Sequence, residues 1–112
     1  MLIPRFYNNL EQYVQPGRVL VIYGPRRVGK STLLLHYFSQ QKCKKTLVSG
    51  DDFQIQEILG SQSTTLISSL VSDSELFVID EAQRVPHIGI GLKIMVDSHP
   101  SLKVIATSSA SF

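Results

Sequence analysis

Gly24-Pro25-Arg26-Arg27-Val28-Gly29-Lys30-Ser31 fits the spacing G-x-x-x-x-G-K-[ST], and each residue type in it answers a need of phosphate chemistry. A polyphosphate is a dense anion. Backbone N–H groups at the start of a helix face it along the favourable end of the helix dipole. Gly24 and Gly29 let the chain adopt unusual φ values and come close to the phosphates. Lys30 can reach β- and γ-phosphate oxygens, and the Ser31 hydroxyl can ligate Mg2+. Pro25, Arg26, Arg27 and Val28 form the body of this loop, and Thr32 continues the helix start.

A second stretch complements the first. Leu76-Phe77-Val78-Ile79-Asp80-Glu81 has four apolar residues followed by two acids, the Walker B pattern. A buried strand would deliver Asp80 to its C-terminal end, where ligands sit in open α/β sheets. There Asp80 can hold Mg2+ through water and hydrogen-bond Ser31. Glu81 is then placed to activate the attacking water as a general base. Alone, these residues would read as an ordinary strand with two solvated carboxylates. The phosphate loop upstream turns them into a metal and water site.

The flanking elements must hold these groups in place. Val19 to Tyr23 is an unbroken apolar, β-branched run, as expected of a strand buried on both faces of a parallel sheet. Thr32 to Phe38 suits a helix. Strand, loop and helix therefore come in the order that the motif requires. Residues 6–14 read as a short amphipathic helix, broken by Pro16-Gly17. Gln40 to Lys45 is a polar, basic turn, read as a solvated helix end rather than a nucleic-acid contact. Thr46-Leu47-Val48 is a second strand. Asp51 and Asp52 follow as turn or N-cap residues. Ile55, Ile58 and Leu59 suggest one helical turn, and Leu66, Ile67, Leu70 and Val71 another helix, with Ser61 to Thr65 joining or capping them.

Ile88, Leu92, Met95 and Val96 mark a further helix, its first turn weakened by Gly89 and Gly91, and Ser98-His99-Pro100 ends it. His87 and His99 show no metal-ligand spacing. Leu102 to Ala106 is another strand, ending in Thr107-Ser108-Ser109, where a polar side chain could sense the γ-phosphate.

Composition bounds the reading. The chain has 112 residues, 43% of them hydrophobic and 18% charged, which suits one domain with a buried core. No apolar run approaches a membrane span, and the N-terminus does not resemble a signal peptide. Cys43 alone excludes an internal disulfide, suits a reducing cytoplasm and reads as an inert surface thiol. A net charge of +2 does not indicate nucleic acid.

Ile3-Pro4-Arg5, the Gly24 to Leu34 stretch, Ile79-Asp80-Glu81-Ala82-Gln83-Arg84-Val85-Pro86 and Ile105-Ala106-Thr107-Ser108-Ser109 together resemble the AAA_14 family of AAA-type ATPases, in the additional-strand, catalytic-glutamate branch. The resemblance spans nearly the whole chain. It implies a three-layer P-loop NTPase sandwich with a mostly parallel sheet, ATP and Mg2+ as ligands, Glu81 and Lys30 in catalysis, and Asp80 with Ser31 at the metal. It also implies a sheet order of 5-1-4-3-2, so residues 1–112 would be one domain that stops after the sensor strand. The fifth strand, the arginine finger and the lid would lie beyond Phe112.

Two expectations follow from that. Val19 to Tyr23 becomes an apolar sheet edge prone to self-association. Turnover by the chain alone is slow, because an arginine finger contributes about 10³–10⁵ in rate. The family usually has Thr-Gly-Ser after its last strand, where this chain has Thr107-Ser108-Ser109. Two other functions compete with the ATPase reading. A nucleotide-dependent binding module would bind ATP with little or no hydrolysis. A small-molecule kinase is opposed by Asp80-Glu81, since a kinase does not activate water.

Overall fold

The computed structural model describes residues 13–24 and 30–109. Four strands run β1 (Val19–Tyr23), β2 (Lys45–Ser49), β3 (Leu76–Asp80) and β4 (Lys103–Ser108). They form one sheet in the order β1-β4-β3-β2, and every pairing is parallel. Four helices connect them: α1 (Lys30–Gln40), α2 (Phe53–Gly60), α3 (Thr64–Val71) and α4 (Ile88–Ser98). The helix expected over residues 6–14 lies outside the described residues except for Tyr13 and Val14.

The strand sequences explain the layering. Side chains alternate between the two faces of a sheet. Phe77 and Ile79 of β3, with Val104 and Ala106 of β4, pack against α2, α3 and α4. Leu76, Val78 and Ile105 point the other way, onto Leu34 and Tyr37 of α1. The result is a three-layer α/β sandwich with apolar residues on both faces of its central strands, as continuous rather than alternating apolar runs demand. Burying Leu59, Ile67 and Met95, each 0% exposed, contributes about 1.5–3 kcal/mol per side chain.

Local chemistry sets the helix ends. Asp52 accepts the Gln54 N–H at 2.8 Å and starts α2, while Ser63 accepts the Leu66 N–H at 3.3 Å and starts α3. Lys45 opens β2 rather than closing the preceding turn. Its ammonium donates to the Phe38 and Gln41 carbonyls at 2.6 and 2.9 Å, so it neutralises the negative end of α1.

The glycines of α4 differ in kind. Gly89 has open space around it, whereas a Cβ on Gly91 would lie 2.6 Å from the Leu59 carbonyl oxygen. Gly91 is what lets α4 lie close to α2.

The last strand extends further than its sequence suggests. Thr107 and Ser108 are not a tail after β4 but part of it, in register with Ile22 and Tyr23. No tight turn occurs at Ser108, so that position does not need the family's glycine for one. Among the described residues, no helix is long and apolar enough to cross a membrane.

Candidate functional site

The parallel sheet brings the C-terminal ends of β1, β3 and β4 side by side. Gly24 follows β1, and its N–H donates to the Ser108 carbonyl at 3.1 Å. Pro25, Arg26, Arg27, Val28 and Gly29 lie outside the described residues. Lys30, Ser31 and Thr32 are the first three residues of α1, and their side chains also lie outside the described part. The helix thus opens one short loop after the strand.

Asp80 is the last residue of β3. It falls on the same face as Leu76 and Val78, toward α1. Together with Leu34, Leu35, Leu47, Val48 and Ser49 it lines a pocket of about 260 Å3. Thr107, fully buried in β4, joins the two acids. Its hydroxyl donates to Asp80 Oδ1 and accepts the Glu81 N–H, the latter at 3.0 Å. One side chain therefore fixes the Asp80 carboxylate and the Glu81 main chain together.

Glu81 sits in the left-handed region, at φ 54° and ψ 46°. For a residue other than glycine this costs on the order of 1–3 kcal/mol and persists only where the surroundings enforce it. Here Thr107 holds the Glu81 N–H, and the Glu81 carbonyl accepts the Arg84 N–H at 3.1 Å. Gly50 lies directly alongside, donating its N–H to the Asp80 carbonyl at 2.7 Å. The backbone reversal swings the Glu81 side chain out of the strand's alternation, and the residue is only 7% exposed.

Gln83 completes the cluster from the 3-10 turn Ala82–Arg84. Its amide nitrogen donates to Glu81 Oε1 at 2.7 Å and to Ser109 Oγ at 2.9 Å. Its own carbonyl oxygen is buried without a hydrogen bond, which costs about 1–3 kcal/mol. Arg84 reaches Asp51 at 3.5 Å, linking the loops after β3 and β2. Both side chains are more than half exposed, so this pair contributes no more than about 1 kcal/mol. Asp52 is turned to its capping role.

The sequence motifs identified Gly24, Lys30, Ser31, Asp80 and Glu81, and the topology brings their strand ends and helix start to one edge of the sheet. It did not reveal Gln83, Ser109 or Gly50 as neighbours of Glu81. A signal for Gln83 was present: an amide two residues beyond the second acid, close enough to reach back to it.

The oxygens gathered here are hard: the carboxylates of Asp80 and Glu81, with the Thr107 and Ser109 hydroxyls already taken up in the hydrogen bonds around them. Among the described residues no group of three or more His, Cys, Asp or Glu side chains is assembled to hold a metal ion. Such a site does not suit a soft or fully caged metal. It fits Mg2+, which takes one or two carboxylates and draws its other ligands from water and phosphate oxygens.

Comparison with known proteins gives one result. The sequence pattern of the AAA_14 family, described as an AAA domain, matches residues 16–112. No curated protein and no solved structure matches the chain.

Proposed function

Because the chain belongs to the AAA_14 family of AAA domains, we propose that it is the ATP-binding, Mg2+-dependent ATPase core of a larger AAA-like protein. The loop from Gly24 to Gly29 cradles the phosphates: Pro25 has no N–H and that of Gly24 is held by Ser108, so the main-chain donors are those of Arg26, Arg27, Val28 and Gly29, with Lys30 and Thr32 completing the grip. Lys30 draws off the charge that builds on the phosphoryl oxygens as the terminal P–O bond breaks. Ser31 and Asp80 hold Mg2+, which when bound neutralises phosphate charge. Glu81 takes a proton from the water whose oxygen forms the new P–O bond, and ADP and inorganic phosphate are released.

The observation that carries this reading is the shared Thr107 hydroxyl. It keeps Asp80 and Glu81 at fixed separation while giving them different tasks: the first acid bound by its side chain, the second by its main chain. Two restrained carboxylates at the end of a central strand suit a division between metal and water.

The test compares two variants by titration with a fluorescent ATP analogue and by phosphate release. Lys30→Ala is expected to lose nucleotide binding. Glu81→Gln should bind as the wild type does while its turnover falls by about 10²-fold or more. Equal loss of binding in both variants would contradict these roles. Wild-type binding with no turnover at all would favour a nucleotide-dependent binding module instead.

A further inference from the structure

We infer that Gln83 is a positioning residue that holds the Glu81 carboxylate and ties it to the end of β4. The inference rests on the reading of Glu81 as the group that takes the proton from water.

Both hydrogens of a single amide group are committed, one to Glu81 Oε1 at 2.7 Å and one to Ser109 Oγ at 2.9 Å. The amide's orientation follows from this. Turned over, it would set its oxygen against a carboxylate oxygen. In the orientation it takes, that oxygen is buried without a partner. The side chain is therefore held by its donor end alone. The turn that carries Gln83 is itself fixed, by the Arg84 N–H on the Glu81 carbonyl at 3.1 Å and the Val85 N–H on the Ala82 carbonyl at 3.0 Å.

The choice of an amide has a chemical reason. A carboxylate that must accept a proton needs to be aimed without being neutralised. A lysine or arginine in this place would grip the carboxylate harder but stabilise its charged form and weaken it as a base. An amide aims it without bringing a charge.

The wiring is also specific. Thr107 of β4 holds the Glu81 N–H, and Ser109, just past β4, shares the Gln83 amide that holds the Glu81 carboxylate. Main chain and side chain of Glu81 are thus both referred to one strand end. A phosphate group that displaces this end would move the carboxylate with it.

The test uses the 15N-labelled protein without nucleotide, then with Mg-ATP. In the free protein, Glu81→Gln and Ser109→Ala should each shift the Gln83 side-chain amide resonances. With Mg-ATP, Gln83→Leu should lower kcat at least about tenfold while the dissociation constant for ATP stays within about twofold. Adding Ser109→Ala to it should cost no further activity, because both act through one contact. Gln83→Met, which keeps the unbranched shape without charge and loses the donors, should repeat the loss and guards against misfolding of the leucine variant.

The idea is overturned if the Gln83 resonances ignore both substitutions. It is equally overturned if Gln83→Leu turns over ATP at the wild-type rate, or loses binding and turnover by the same factor. A wild-type protein that binds ATP without hydrolysing it refutes the role given to Glu81 alone; the resonances then decide by themselves whether Gln83 holds the carboxylate.

Discussion

A Cβ on Gly50 would lie 2.1 Å from the Glu81 carbonyl oxygen. At Gly50 the loop after β2 and the reversal after β3 therefore meet main chain to main chain, with no room for a side chain between them. Gly50→Ala is expected to push the Glu81 peptide out of place. Overpacking of this kind costs about 1–3 kcal/mol, readable as a lower urea midpoint, and ATP turnover should fall along with it. An unchanged midpoint would mean that the two loops separate freely.

Thr107→Val keeps the shape of the buried side chain and removes its hydroxyl. Asp80 then loses a donor and the Glu81 N–H loses its acceptor. A desolvated N–H left unpaired costs about 1–3 kcal/mol. Thermal unfolding should show that loss, and phosphate release should slow because both acids lose their common anchor. Wild-type stability together with wild-type turnover would count against the bridging role.

Gly89 and Gly91 should respond to alanine with opposite signs. Gly89 is exposed and nothing would meet its Cβ, so Gly89→Ala gains helix propensity, about 1 kcal/mol at most. Gly91→Ala drives a methyl group to 2.6 Å from the Leu59 carbonyl oxygen and should destabilise by about 1–3 kcal/mol. Chemical denaturation of the two variants side by side settles the matter. Two changes of the same sign would refute the close helix contact.

Among the described residues, β1 has a partner strand on one side only. Its sequence, Val19-Leu20-Val21-Ile22-Tyr23, offers no charge or proline to discourage a second strand. Self-association through this edge should appear as a scattering mass that rises with concentration above the 12.5 kDa of one chain. A constant mass across a wide dilution series would rule it out.

The sequence was most legible where one force dominates. β1 and β3 were readable to the residue because unbroken apolar runs in a parallel sheet leave little choice. Asp52 was readable as a turn or N-cap residue from side-chain chemistry alone, and Ser63 is the N-cap within the polar stretch 61–65 read as joining or capping two helices. The end of β4 was less so. Thr107 and Ser108 are polar and look like a loop, yet pairing with Ile22 and Tyr23 keeps them in the strand. Polar residues are tolerated there because Thr107 has Asp80 and Glu81 to satisfy it.

Gly91 was read as a weak helix residue like Gly89, since a contact with the Leu59 main chain depends on how two helices meet. The left-handed turns at Glu81 and His87 had no glycine or asparagine to announce them. At Glu81, tertiary contacts to Thr107 and Gly50 override the local preference.

The strand order governs how the protein can be born. β4 lies between β1 and β3, so among the described residues β1 has no neighbour in the sheet until residues 103–108 have been synthesised. On a translating ribosome, β2, β3 and the helices packed on them can come together first. The segment between β1 and α1, to which we assign the phosphates, must wait for β4 before the strand that carries it is seated.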